Sequence, residues 1–307
     1  LPAGRRHFEK AVRTIEAANA HSSGRLSGIL APDTLDTTAE DLLRDTLALA
    51  AERDWPLTIH CAESMVEFHE FTRRTGMTPV AYAKSKGVLG PKTILGHCIF
   101  LDTHSWPHWH TRDDLRSIAE SGTAVAHCPT PFSRYGVTME SLPAYAEAGV
   151  TLGIGTDTFP HNMLEEMRLA LTLARVACED MTRISTGDVF DMATIGGAQA
   201  LGRGDIGRIA VGARADLVSV DLDDVSMRPL RDPLKSLIYS AADRPVRDVW
   251  IDGRQVVFAG KVPQIDAGAA AEVLEAAQRT TEAAVPAADW AGRSARELAP
   301  LALPSLD

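Results

Sequence analysis

Apolar residues in this chain gather into four short runs, each closing on a side chain able to bind a metal or move a proton. They read Leu57-Thr58-Ile59-His60, Thr93-Ile94-Leu95-Gly96-His97, Thr123-Ala124-Val125-Ala126-His127 and Thr151-Leu152-Gly153-Ile154-Gly155-Thr156-Asp157. Runs of this length between turn signals predict buried strands. Their spacing of roughly 30 to 37 residues matches one strand-helix unit of a parallel sheet. Parallel neighbours place their C-terminal ends side by side, so three imidazoles and a carboxylate are expected at one sheet edge. His60, His97 and His127 are each followed by a cysteine, Cys61, Cys98 and Cys128. Adjacent strand residues face opposite sides, which predicts the thiols in the surrounding helix layer as small buried apolar groups and argues against a Cys/His zinc finger.

The intervening polar-apolar periodicity predicts helices at Arg5–Ala20, Ala39–Arg53, Met65–Thr75, Pro79–Lys86, Thr111–Ser121, Met139–Ala148 and His161–Cys178, with two shorter ones between Gly187 and Leu201. Leu26–Ala31 reads as a further strand halted by Pro32, and Asp36-Thr37-Thr38 offers caps for the helix after it. Asp33, at that strand's end, either contacts a substrate or caps a turn. The loop Thr103–His110 holds two tryptophans and three histidines; with Trp106 it reads either as a lid able to stack on a flat ring or as a self-packed surface loop. Past Asp205 the pattern changes to short alternating strands at Ala215–Val220, Val246–Ile251 and Gln255–Phe258, with Asp252-Gly253 as a hairpin turn. From Ala267 an alanine-rich helix leads into a Pro-containing tail.

Composition narrows the partners. At 307 residues and 45% apolar content the chain can bury a substantial core. A net charge of -10 argues against nucleic acid or an anionic membrane as partner and suits a small neutral or cationic substrate. Four cysteines without a Cys-x-x-Cys pair fit a reducing, cytoplasmic setting. No apolar run approaches the ~20 residues of a membrane span.

The chemistry concentrates after the first run, at His60-Cys61-Ala62-Glu63. His60 is placed to coordinate a divalent ion through a ring nitrogen, and Glu63 to exchange a proton with water and substrate beside it. Asp157 brings a hard oxygen donor to the same ion. One His-x-x-Glu is weak evidence alone. Joined in order to Gly-His at 96–97, His-Cys-Pro at 127–129 and Gly-Thr-Asp at 155–157, it is specific.

In that order of motifs the chain resembles the amidohydrolase superfamily, in its branch of cytosine and guanine deaminases and triazine hydrolases such as atrazine chlorohydrolases. Ala193–Gly202, Gly207–Leu217 and Val249–Gly253 extend the resemblance over nearly the whole chain. It implies a (β/α)8 TIM-like barrel, one divalent ion (zinc first, iron second) and hydrolytic loss of an amino group from an N-heterocycle by an ion-held hydroxide. Position by position it implies His60 and Asp157 as metal ligands, Glu63 as proton shuttle, and His97 as the group that polarises the attacking water or the reacting carbon. His127 becomes structural or pocket-lining, with Phe132, Arg134 and Tyr135 of the following turn facing the substrate. The family's first-strand His-x-His pair is absent, and His108-Trp109-His110 lies in the wrong place to replace it. Residues 1–204 are therefore expected to form a barrel lacking its N-terminal strands, 205–265 the C-terminal part of a small β-sandwich, and 266–307 a helix and tail. The remaining N-terminal part is expected from an absent segment or another chain, and a homo-oligomer is compatible with the long C-terminal helix. Two other readings stay open: a dechlorinating or N-dealkylating triazine-type hydrolase on the same fold, and an inactive fragment or subunit.

Overall fold

The computed structural model describes residues 2–303. The chain opens with α1 (Pro2–Asn19) and α2 (Glu40–Arg53), then alternates β1 (Leu57–Cys61), α3 (Met65–Thr75), α4 (Pro79–Ser85), β2 (Thr93–His97), α5 (Asp114–Ser121), β3 (Ala124–His127), α6 (Pro129–Ser133), α7 (Leu142–Glu147), β4 (Leu152–Ile154) and α8 (Met163–Cys178). The four strands form one parallel sheet in the order β1-β2-β3-β4. Leu57, Ile59, Leu95, Val125 and Leu152 bury their side chains on it against Phe68, Phe71, Leu142 and Leu171 of the helices. This is the TIM-barrel-like arrangement expected, with the barrel not closed.

Helix ends follow local chemistry. Ser64 caps α3 through Glu67 N–H, Thr78 caps α4 ahead of Pro79, and Gly76 and Gly122 end α3 and α5 in the left-handed region that a residue without Cβ adopts cheaply. Four local expectations fail. Leu26–Ala31 is no strand: Leu30 alone bridges to Leu57, while Gly28 N–H donates to Asn19 Oδ1 at the end of α1 instead of joining the ladder. The sheet thus has four strands, not five. The caps assigned to Asp36-Thr37-Thr38 are not made: α2 starts after Ala39 without a side-chain cap, because Thr38 Oγ1 donates back to Pro32 O and Thr34 O. The run at 151–157 pairs only as far as Ile154, so Asp157 stands on a loop. Finally, 187–201 is not two separate helices. α9 (Thr186–Asp191) continues through a π-helical turn, Met192–Gly196, into α10 (Gly197–Ala200).

A second sheet holds β5 (Leu217–Val220), β6 (Val246–Ile251) and β7 (Arg254–Val257) in antiparallel order, with α11 (Pro233–Ser236) between its first two strands. Asp252 and Gly253 make the hairpin with φ of 51° and 76°, the left-handed pair that a two-residue turn requires. No residue of these strands is fully buried. α12 (Ala267–Ala288) and α13 (Ala295–Leu298) complete the described chain, also without a buried residue. No described helix is long and apolar enough to cross a membrane.

Two positions test the packing. A Cβ on Gly196 would lie 2.1 Å from Leu152 O, because the π-helical turn runs directly over β4. Gly196→Ala should therefore cost about 2–3 kcal/mol in denaturant unfolding. His127 is 3% exposed, its Nδ1 has no partner, and burial drives its pKa from 6.5 down to about 3. The unfolded chain takes up this proton near 6.5 and the folded chain only near 3, so the stability it contributes is complete above 6.5 and lost as pH falls through that window. Unfolding at a series of pH values should show the wild type losing more stability than His127→Gln between about pH 6.5 and 4.

Candidate metal centre

The C-terminal ends of β1 and β2 and the loop after β4 bring one donor atom each of His60, His97 and Asp157 within 4.8 Å of one another. Parallel register sets this up: Cys61 pairs with His97 and His60 with Gly96, so the two imidazoles stand on neighbouring strands. Their rings stack at 5.1 Å and 8°. Gly96 leaves the space for that ring, since a Cβ there would lie 3.1 Å from His60 Cδ2.

The chain leaves the sheet here through left-handed residues that are not glycine: Ala62 at φ 53°, His97 at 72°, Cys98 at 47° and Asp157 at 55°, with Asp33 at 76° on the flanking segment. Each such residue costs about 1–2 kcal/mol. The strain turns the backbone sharply enough that the side chains converge over the sheet edge. It also changes the expected origin of the thiol burial. Cys61 and Cys98 are both 0% exposed, but Cys98 is itself left-handed and follows the left-handed His97 past the end of β2, so it is not on the alternating pleat.

Hydrogen bonding and burial define the state of each group. His60 Nδ1 lies 2.9 Å from Asp33 O, an atom that only accepts, so Nδ1 carries the hydrogen and Nε2 keeps its lone pair. His97 is 3% exposed with an unpartnered Nδ1. Burial lowers its pKa to about 4 against the opposing pull of Asp157, which keeps the ring neutral and able to donate a lone pair. Glu63, on the loop just past β1, has its pKa raised, first by burial and then by Asp157, Asp36 and Asp33, with His60 acting the other way. Two imidazoles and a carboxylate match the donor chemistry of a zinc or iron site.

The other expected residues are placed less uniformly. Phe132 packs edge-on against the His97 ring at 4.7 Å. Arg134 donates to Phe159 O at 2.9 Å and covers the Phe159 ring at 5.5 Å, joining the loops after β3 and β4. Tyr135 is 83% exposed. Trp106 packs on Phe100 and His104 in a loop fastened by Ser105 to Glu140, so its ring contacts are within its own loop. Asp33 keeps an exposed carboxylate 3.8 Å from His60 Nδ1. His127, the last residue of β3, is buried and lies outside the donor group.

Sequence reasoning missed Glu67. Its carboxylate is buried and accepts from the N–H groups of Ala62 and Glu63 at 3.0 and 2.7 Å. Ser64-x-x-Glu67 carries a visible capping-box signal, but here the carboxylate reaches past the cap to the two preceding amides. The His161 imidazole, which meets Thr156 Oγ1 at 3.0 Å beside Asp157, was also missed, and no spacing announces it.

Comparison with known proteins agrees with this geometry. The chain is 34% identical over 269 residues to the 5'-deoxyadenosine deaminase of Methanothermobacter thermautotrophicus, covering 86% of this chain and 61% of that protein. It is 33% identical over 285 residues to a 5-methylthioadenosine/S-adenosylhomocysteine deaminase of Halobacterium salinarum, covering 92% and 63%. It thus spans about three fifths of the length of these curated relatives. Among solved structures, an adenosine deaminase of Xanthomonas campestris with bound zinc superposes with a TM-score of 0.78 at 32% identity, over 88% of this chain and 60% of that one. The atrazine chlorohydrolase of Arthrobacter aurescens, complexed with zinc, shares the fold with a TM-score of 0.78 at 24% identity, over 89% and 60%. Residues 4–256 match the amidohydrolase family, and the chain belongs to it.

Proposed function

We propose that this chain carries active-site residues of a metal-dependent deaminase that hydrolyses the exocyclic amino group of an adenosine-like heterocycle. The observation that carries the reading is the convergence of His60, His97 and Asp157, with Glu63 held beside them in a state of raised proton affinity. Relatives named as deoxyadenosine and methylthioadenosine deaminases support a purine nucleoside over a triazine. The triazine hydrolase likeness, at 24% identity, supports the fold alone.

The residues fit a bound dication. His60 offers Nε2, the buried His97 ring is neutral, and Asp157 supplies negative charge. A bound zinc or iron ion supplies the positive charge that brings the pKa of water from 15.7 toward about 7. Glu63 would take one proton from the attacking water and deliver it to the ring nitrogen next to the reacting carbon, then carry the second proton from the added hydroxyl to the departing amine as the C–N bond breaks, so that water and substrate yield an oxo ring and ammonia. His97 and Asp157 orient the attacking oxygen, and Phe132, lying on the His97 ring, forms an apolar wall against which a flat heterocycle stacks. Asp33 and Asp36 make the mouth acidic, which favours an uncharged or cationic substrate over a phosphorylated one.

Zinc-loaded protein should release ammonia from 5'-deoxyadenosine or 5'-methylthioadenosine. Release of chloride or alkylamine from triazines, without ammonia from purines, would overturn the substrate assignment. Glu63→Gln should lower kcat by at least about 10³-fold while leaving metal content by elemental analysis unchanged. His60→Ala should abolish the rise in unfolding temperature that added zinc produces in the wild type, since an ion bound only by the native state stabilises it by RT ln(1 + [L]/Kd). An equal rise in the variant would remove His60 from the ligand set.

A further inference from the structure

The turn that follows β1 is shaped by something other than its own side chains. Ala62 is fully buried at φ 53°, a conformation unfavourable to a residue with a Cβ, and it directs two successive main-chain N–H groups, those of Ala62 and Glu63, toward the start of α3. Such a pair forms a small concave anion site. Here it is filled from within the chain. Glu67 Oε1 accepts from Ala62 N at 3.0 Å and Oε2 from Glu63 N at 2.7 Å. The Glu67 side chain belongs to a residue only 5% exposed, and its two oxygens are taken by these main-chain amides. A capping-box glutamate would return to the amide of Ser64. This one lets Ser64 Oγ cap the Glu67 N–H at 3.1 Å and spends both oxygens on the turn.

Resting on the functional reading above, we propose that Glu67 is a positioning residue for Glu63: its carboxylate fixes the peptide planes at 62 and 63, and so the direction in which the Glu63 side chain leaves the backbone, without itself touching metal or substrate. The left-handed turn is otherwise free to relax, since an alanine there gains about 1–2 kcal/mol by leaving that region. Two charge-assisted bonds offset that cost and hold the turn. A proton shuttle displaced by about 1 Å loses on the order of 100-fold in rate, so the contribution appears in turnover and not in substrate affinity. Burial first, then the charges of Asp36 and Glu63, raise the Glu67 pKa to about 7 against the pull of the two amides.

Glu67→Gln keeps one acceptor oxygen and presents an NH2 group to the second amide, with almost no change in volume. In metal-loaded protein it should lower kcat about 10–100-fold with KM within about twofold and metal content unchanged. If Glu67 acts only through Glu63, the double variant Glu63→Gln/Glu67→Gln should be no slower than Glu63→Gln alone. A merely structural residue would add a further loss, and that result, or wild-type turnover in Glu67→Gln, overturns the proposal. Ser64→Ala, which weakens the same helix end without touching the turn, should lower the unfolding temperature but leave kcat unchanged; a loss of kcat equal to that of Glu67→Gln also counts against it. Should Glu67→Gln fail to fold, Glu67→Asp keeps the charge one methylene short and is expected to reduce kcat at constant KM, unchanged kcat being the overturning result. Absence of turnover in the wild type would overturn the functional reading. The amide resonances of Ala62 and Glu63 then decide this inference separately: they should move upfield in Glu67→Gln, and unmoved signals overturn it.

Discussion

A carboxylate taken out of water must find donors or give up its charge, and in this chain the donors are the amides of the loops above the sheet. Glu67 of α3 holds the loop after β1. Asp114 of α5 accepts from Asp102 N and from Thr78 Oγ1, holding the loop after β2 against the start of α4. Glu166 of α8 accepts from Thr130 N and holds the loop after β3. Each acid comes from the first turn of a helix and grips backbone near a strand's C-terminal end. Burial raises the pKa of all three, to about 7 for Glu67 and Asp114, so the amides offset desolvation only in part. The loops cannot move without leaving these acids unpaired, at a cost of several kcal/mol each. The left-handed exits after β1 and β2 are therefore held by buried carboxyl groups of the following helices, and the hydrophobic sheet supplies the platform.

This arrangement separates the tasks of the site's elements. Register between β1 and β2 places two imidazoles in stacking contact, and Gly96 provides the room. The Asp33 carbonyl fixes the tautomer of His60, and burial keeps His97 neutral. Asp157 differs from both. It stands three residues past a short strand, on a loop joined by Arg134 and Phe159 to the loop after β3. Histidine geometry thus depends on the sheet, whereas the carboxylate's place depends on contacts between loops.

Much of this was legible because strong hydrophobic runs leave few alternatives. Four apolar runs ending at His60, His97, His127 and Asp157 gave the parallel sheet, and the order of their terminal residues gave the family. The failures have local causes. Leu26–Ala31 has a strand's composition, but only one neighbouring strand is present to pair with it and the Gly28 amide is claimed by Asn19. Thr38 resembles a cap, but its hydroxyl finds two carbonyls nearer than the helix amides. The π-helical turn at 192–196 leaves no compositional trace, because it arises where Gly196 must pass over the Leu152 carbonyl. Trp106 and its neighbours lacked any periodicity from which to infer which way the rings turn. The signal at Ser64-x-x-Glu67 was present in the sequence, but a spacing rule reports which residues can meet, not which of several amides a carboxylate will choose.

Because Glu67 grasps main-chain amides, the shape of the turn is indifferent to the side chain at position 63. Such a corner is a socket: its contour is inherited from a neighbouring helix, and the side chain at position 63 is a removable insert. A lineage could therefore exchange the insert by a single codon change while leaving the scaffold's architecture untouched.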